Sequence, residues 1–418
     1  MPQQFYSINF PSNPLELIQI LNLDIFSLHN NGKSGFILGY SNSKKNIITI
    51  STYKDYFNLK NSKKYIFGYI PYDQKINFLS NSNSMNPAIH GFNNSKFFTS
   101  NGCFILKNEI CLFFGSKEEL LKVKALLKEP YKMVNKSLVK KEQKIELCHS
   151  TPKKHYINTV KNIKEHIQKG DVYEINYCIN FQYKVSKFSG LPVYYKLVEK
   201  TQGPFSSFLS IDDTLIMCAS PERFFNKTGN LLISQPIKGT IKRGNSISED
   251  QNLIAKLAND TKEISENIMI VDLVRNDLSK IANRASVVLK ELCKIYSFQT
   301  VHQLISTIQA KVPEDIKYVK ILDSMFPMGS MTGAPKIKAT QIIDKYEDFK
   351  REVYSGTTGF ISPNNSSDFN VVIRSIIHNK SKLTTSISVG SAITIKSIPE
   401  SEYNECLLKL SAIQDALL

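Results

Sequence analysis

The chain has 418 residues, with 53 Lys and Arg against 37 Asp and Glu, a formal net charge of +16 and 42% hydrophobic residues. That is enough for one large or two ordinary domains with full cores, in the composition of a soluble globular protein. No apolar run is long enough to cross a bilayer, and the lysines are scattered among Asn, Ile and Ser without a basic tract. Neither a membrane nor a nucleic acid is therefore an expected partner.

The opening MPQQFYSINF lacks a charged n-region and an apolar h-region, and the seven cysteines include no CxxC pair. Both point to a reducing cytoplasm. Residues 1–145 read as mixed α/β with short elements. NPLELIQILN reads as a helix. GFILGYS, NIITIST and KKYIFGYIPYD read as strands, and CFILKNEICLFFG as a hairpin turning at Lys107, Asn108 and Glu109. The Asn- and Ser-rich NFLSNSNSMNPAIHGFNNSK reads as an exposed loop.

A second unit spans 146–418. Ser150-Thr151-Pro152 signals a helix start with a hydroxyl cap and proline at the first helical position. Tyr156, Val160, Ile163 and Ile167 form the stripe of that helix, and Gly170 ends it. VYEINYCINFQYKV alternates strictly, which predicts a strand with one buried face. The helix LPVYYKLVEK and the strands SSFLSI and TLIMCAS follow.

The stretch from Ser234 to Asp277 organises the rest. Lys238 is expected on a tight turn between Ile237 and Gly239, and a polar link leads on to a helix. Ile264, Ile268, Val271, Val274 and Leu278 recur on that helix as one buried face. Glu263 and Glu266 lie side by side on it, and Glu402 and Glu405 repeat the spacing near the C-terminus. Paired like charges need a cation between them, so a lysine with four carboxylates suggests Mg²⁺ holding an anionic substrate beside a nucleophile. SFQTVHQLISTIQAKV, VYSGTTGFIS, FNVVIRSIIHN and LTTSISVGSAITI read as further strands. YVKILDSMF, the segment after the Gly-rich MGSMTGAPKIKA with Pro335 in its first turn, and a segment from Pro399 read as helices. Many strands with marginal helices predict an α+β fold, a large two-sheet β-sandwich flanked by helices.

SPERF, PIKGT, KEISENIMIVDLVRND, VHQL, GSMTGAPKIKA, YSGTTGF, VIRS, VGSA and PESEYNE stand in this order in the chain. Together they resemble the chorismate-binding enzymes, over nearly two thirds of the length. The resemblance implies a variable N-terminal region, 1–145, packing on a catalytic domain, 146–418. Lys238 resembles the aminodeoxychorismate synthase component I branch of the family, since anthranilate synthases carry alanine there. Its expected role is to attack ring carbon 2 and expel the 4-hydroxyl, after which ammonia enters at carbon 4. Such a lysine must be neutral. That needs a depression of roughly three units from about 10.4, or about 4 kcal/mol, expected from burial and Mg²⁺.

The resemblance also implies the remaining roles. Glu222 would be the general acid, where the residue alone suggests a surface pair with Arg223. His302 matches an active-site histidine, although a lone histidine on an apolar strand is more often a satisfied core residue. Glu263, Glu266, Glu402 and Glu405 would hold Mg²⁺. Arg374 and Tyr354 would meet the enolpyruvyl carboxylate, with Gly390 letting the backbone approach. Gly239, Thr240 and Thr332 would also touch substrate, while Lys262 and Lys336 receive no role.

Two positions depart from the pattern. Glu174 stands where many relatives of this type carry Gln and water-adding ones a lysine, so water addition is disfavoured. SLHNNG lacks the Leu-Leu-Glu-Ser of tryptophan-inhibited anthranilate synthases, so tryptophan inhibition is not expected. No Gly-x-Cys-x-Gly turn with a later His-x-Glu is present, so ammonia is expected from a separate glutamine amidotransferase subunit. The alternatives are anthranilate synthase component I and, more remotely, a non-catalytic nucleic-acid-binding protein.

Overall fold

β-Branched and aromatic runs punctuated by Asn, Ser and Gly fold as antiparallel strands. The structure, a computed structural model, describes residues 4–8, 13–30, 35–59, 62–79, 84–107, 109–128, 144–299 and 301–418. Its first segment holds β1 (Gln4–Ser7), α1 (Pro14–Ile20), β2 (Ile25–Asn30), β3 (Phe36–Ser41), β4 (Ile47–Ile50), β5 (Ile66–Ile70), β6 (Ser95–Thr99), β7 (Gly102–Lys107), β8 (Ile110–Gly115) and α2 (Lys117–Leu126). The middle holds β9 (Ile145–Ser150), α3 (Lys153–Gln168), β10 (Glu174–Val185), α4 (Gly190–Thr201), β11 (Phe205–Ile211), β12 (Thr214–Ser220), β13 (Arg223–Thr228), β14 (Leu231–Gln235), β15 (Ile237–Lys242), α5 (Ile247–Ala258) and α6 (Thr261–Ser279). The last part holds β16 (Val288–Ser297), β17 (Val301–Lys311), α7 (Tyr318–Met325), β18 (Gly333–Ala334), α8 (Lys336–Tyr346), β19 (Thr357–Ile361), β20 (Ser367–Asn370), β21 (Ser375–Asn379), β22 (Thr384–Ile393) and α9 (Pro399–Leu417).

The strands form two antiparallel sheets, of 12 and 10 strands among the described residues. The first runs β1-β8-β7-β3-β2-β11-β12-β21-β22-β10-β18, with β9 beside β10. The second runs β15-β17-β14-β13-β20-β19-β5-β6-β4, with β16 beside β17. Both draw strands from either side of residue 145. This is the α+β sandwich the sequence predicts.

One apolar core lies between the sheets and includes Phe67, Phe97, Leu209 and Ile216, joined by α6 and α7 residues such as Ile270, Val274 and Leu322. The other covers the outer face of the larger sheet with α1, α3, α4, α8 and α9, through residues such as Leu17, Val160, Leu197, Ile343 and Leu410.

Several sequence expectations are corrected by this packing. β10 is buried on both faces, because helices cover one side and the second sheet the other; Glu174, Asn176 and Asn180 are as buried as Ile175 and Tyr177. The polar link before α6 is itself a helix, α5, capped by Ser246. On α6 the buried face is rotated: Ile268 is exposed while Glu266 and Asn267 are buried. Pro152 and Pro335 sit one residue before their helices rather than in the first turn, and Thr151 instead accepts from the Asn180 amide. The FNVVIRSIIHN strand breaks between β20 and β21, where Arg374 takes φ +50.

Part of the expected exposed loop is buried: His90 and Phe92 lie in the interior, and His90 bonds the hydroxyls of Thr384 and Ser386. Residues 80–83 of that stretch, Asn108 of the hairpin turn, and Asn31 and Gly32 of SLHNNG lie outside the described residues.

Candidate active site

Lys238 lies on a bulged strand, not on a turn. The β15–β17 register shifts between Ile237 and Thr240, and Gly239 adopts φ +85. A Cβ at Gly239 would stand 2.9 Å from Leu304 Cδ1 and 3.2 Å from Glu263 Cβ, so glycine lets α6 approach the strand here. Asn267 ties that approach down: its Nδ2 donates to the Leu304 carbonyl at 3.2 Å and its Oδ1 accepts from Ser306 Oγ at 2.5 Å.

A bulge re-aims side chains, and here the Lys238 Nζ meets Glu174 Oε1 at 2.6 Å, with the two side chains 12% and 1% exposed. Burial pulls the lysine's pKa down, but Glu174, Glu266 and Glu222 outweigh it and hold the amine above its ordinary range. The expectation of a depressed lysine is corrected: in the protein alone three carboxylates surround it.

Glu222 is buried, and burial pushes it up from 4.5 to about 7 against the Ser330 bond and the Lys238 charge. Ser330 Oγ donates to its Oε1 at 2.7 Å. Arg223 is not its partner; that guanidinium grips Asp368 at 2.9 and 3.0 Å and Gln235 at 2.7 Å. A cavity of about 20 Å³ opens beside Glu222, Ser330 and Gly329, with room for about one water.

Of the four glutamates, Glu266 of α6 and Glu402 of α9 flank Lys262, and Glu405 of α9 acts on Glu263 of α6 through its charge. Lys262 stands 3.3 Å from Glu402 and 3.9 Å from Glu266. Glu266 Oε1 and Glu402 Oε2 are buried without a hydrogen-bond partner. Burial raises Glu266 to about 7, opposed by Lys238 and aided by Glu174 and Glu263. Glu263 is raised by burial too, against Lys262 and with Glu405 adding to the rise. Glu405 is tied to Lys409 at 2.7 Å. As they stand, no three acidic, imidazole or thiol groups among the described residues are gathered to hold a metal ion. The orphaned hard oxygens are nevertheless of the kind Mg²⁺ takes, and Lys262 occupies the position of a neutralising cation.

Arg374 is partly buried, and burial lowers its pKa. It makes no ion pair or side-chain hydrogen bond among the described residues, which leaves a guanidinium fork open to an anion. Tyr354 is buried beside Cys178 and Arg351. Gly390 faces the same cysteine across β10 and β22: a Cβ there would stand 2.7 Å from Cys178 Sγ.

Thr332 donates its hydroxyl to the Met328 carbonyl at 3.0 Å, and its own carbonyl accepts from the Asn176 amide at 2.9 Å. Thr240 is exposed and accepts from Gln303 at 3.3 Å. His302 is fully buried, with Nε2 2.9 Å from Asp250 Oδ1 and Nδ1 2.8 Å from Ser297 Oγ. It thereby links β17 to β16 and α5. Lys336 is also buried, bonded to Asp277 at 2.5 Å and the Met325 carbonyl at 2.9 Å, which joins α8 to α6.

Sequence reasoning missed Ser330, which stands inside GSMTGAPKIKA and could have been singled out with it. Glu174 was visible only as a departure, and Lys262 received no role although it stands four residues before Glu266 on the same helix.

A family model described as chorismate binding enzyme matches residues 30–415. A probable aminodeoxychorismate synthase, chloroplastic, of Oryza sativa subsp. japonica is 39% identical over 263 residues, 62% of this chain and 29% of that protein. Aminodeoxychorismate synthase component 1 of Bacillus subtilis is 34% identical over 262 residues, 63% of this chain and 55% of that protein. The chain thus spans between under a third and little more than half of the length of these curated relatives. The crystal structure of anthranilate synthase component I from Streptococcus pneumoniae TIGR4 matches with a TM-score of 0.76 at 19% identity, over 98% of this chain and 94% of that one. At that identity the likeness is one of fold.

Proposed function

The chain belongs to the chorismate binding enzyme family, and on that premise we propose that it is an aminodeoxychorismate synthase component I. It converts chorismate and ammonia to 4-amino-4-deoxychorismate, a precursor of 4-aminobenzoate and folate. The observation that carries this reading is Lys238 Nζ among Glu174, Glu222 and Glu266, with Glu174 at 2.6 Å.

Lys238 attacks ring carbon 2, the ring double bond shifts, and the 4-hydroxyl departs. Glu222, with a pKa near 7, donates the proton that makes the hydroxyl leave as water. Ammonia adds at carbon 4 and expels the lysine from carbon 2. Arg374, whose guanidinium is unpaired among the described residues, binds the enolpyruvyl carboxylate, with Tyr354 and the backbone at Gly390 as its further contacts. Glu263, Glu266, Glu402 and Glu405 are the residues that would hold Mg²⁺, which would supply positive charge for the ring carboxylate. Gly239, Thr240 and Thr332 shape the walls, and His302 holds β17 in place beneath them.

A separate glutamine amidotransferase subunit delivers the ammonia, and the seven free cysteines suit a reducing cytoplasm. Among the described residues no helix is long and apolar enough to cross a membrane.

The test is product analysis. Purified protein with chorismate, Mg²⁺ and ammonium at mildly alkaline pH is expected to yield 4-amino-4-deoxychorismate by mass, and 4-aminobenzoate once a lyase is added. Fluorescent anthranilate would overturn the reading in favour of anthranilate synthase component I. Chorismate left untouched, with salt-sensitive retention on nucleic acid, would overturn it altogether.

A further inference from the structure

Glu174 is held on a stiff support. It opens β10, pairs with Ala334 of β18, and is flanked by the Tyr173 amide bonded to the Ala334 carbonyl at 2.7 Å and the Asn176 amide bonded to Thr332 at 2.9 Å. Its Oε1 lies 2.6 Å from Lys238 Nζ, and its Oε2 is buried without a partner. Among the described residues Glu174 is the group in hydrogen-bond contact with that amine. Glu266 and Glu263 of α6, Glu222 ahead of β13 and Glu405 of α9 face Lys238 at longer range. Glu174 is not one of the four glutamates assigned to the metal.

An ammonium cannot attack carbon, so the proton on Nζ needs a destination. The nearest base is Glu174. We propose that Glu174 accepts the Lys238 proton as Nζ bonds ring carbon 2 and returns it when that bond breaks. This rests on the reading of Lys238 as nucleophile.

The proton count closes. Glu174 takes one proton from the ammonium, and the free amine attacks carbon 2. Glu222 gives its proton to the departing hydroxyl, which leaves as water. Ammonia then bonds carbon 4 with its lone pair, and the C2–N bond breaks with its electrons going to the lysine nitrogen. The new ammonium at carbon 4 restores the proton of Glu222, and Glu174 restores that of Lys238.

The arrangement has a kinetic signature. The ion pair and the neutral amine–acid pair contain the same number of protons, so the population of the reactive form is independent of pH while the pair is closed. With glutamine at 174 the proton must go to solvent. The reactive fraction then rises about tenfold per pH unit below the pKa of the lysine. A carboxylate that merely packed against Lys238 would change the rate by a factor that ignores pH.

The experiment measures the rate of adduct formation at Lys238 by rapid quench and intact mass, with chorismate and Mg²⁺ but no ammonia, from about pH 6 to about pH 9. Taking the ratio of Glu174→Gln to wild type cancels the titration of Glu222. The expected ratio is well below one at the acid end and climbs about tenfold per pH unit. Glu174→Asp keeps a carboxylate and is expected to be slower with a ratio that does not vary with pH. A flat ratio for Glu174→Gln, wild-type speed at every pH, or a Glu174→Asp ratio that climbs as the glutamine's does would each overturn the proposal. Should wild type release aminated product and form no adduct, the nucleophile reading fails and takes this proposal with it. A wild-type adduct with a flat glutamine ratio removes this proposal alone.

Discussion

Two buried cations lie at the same end of β10 and are treated in opposite ways. Arg351 donates to Glu347 at 2.6 and 2.9 Å, to the Met331 carbonyl at 2.6 Å and to the Asn176 carbonyl at 2.8 Å. Glu347 in turn accepts from the Cys178 amide at 2.9 Å. The guanidinium and the carboxylate are thus both met within the chain. Around Lys238 and its neighbour site at Lys262 the balance differs: Glu174 Oε2, Glu266 Oε1 and Glu402 Oε2 are buried without a hydrogen-bond partner. Unmet buried oxygens cost stability. All three are carboxylate oxygens, the kind of group a cation or a donor from outside the chain can satisfy.

The sharpest way to break the contrast is at its closed side. Arg351→Met strands the Glu347 carboxylate and should cost about 3–5 kcal/mol, read as a lower denaturant midpoint. The open side should respond with the other sign. Glu266 is raised from 4.5 to about 7 in the fold. A raised carboxyl contributes stability that is fully present below the unfolded pKa and lost as pH rises through the folded one.

Metal-free protein should therefore lose stability between those two values. At about pH 8, Glu266→Gln should recover up to about 3 kcal/mol of it. Mg²⁺ at about a hundred times its dissociation constant should stabilise wild type by about 2.7 kcal/mol. In the glutamine variant that gain should shrink, as thermal melts with and without metal would register.

A smaller effect tests the bulge. Gly239→Ala places a Cβ at φ +85 against Leu304 and should cost about 1–2 kcal/mol. Smallest is Ser330→Ala. The Ser330 bond lowers the pKa of Glu222, so its loss should raise that pKa and move the alkaline fall of adduct formation to higher pH. The cost in stability should be about 1 kcal/mol. An unmoved limb would detach Glu222 from the proton transfer.

Much of the fold was legible because strands and helices here keep their periods: α3, α4 and α9 lie where the sequence reading places them, although α3 lacks the hydroxyl cap expected of it. Two of the errors fall at candidate site residues. Ile268 points outward so that Glu266 and Asn267 can point in, and Arg374 breaks an apolar run at φ +50 rather than lying within a strand. The motifs singled out Lys238, Glu222 and the four glutamates as candidates. They could not show that Lys238 leans on Glu174, because that contact joins β15 to β10 across 64 residues. Nor could they show that both ring nitrogens of His302 are already engaged by Asp250 and Ser297.

The most direct test is peptide mapping of the protein after exposure to chorismate and Mg²⁺ with ammonia withheld. The account predicts that the peptide carrying Lys238 gains the mass of chorismate less one water, and that added ammonium discharges it. A preparation that aminates chorismate yet never carries that mass on Lys238 would contradict it.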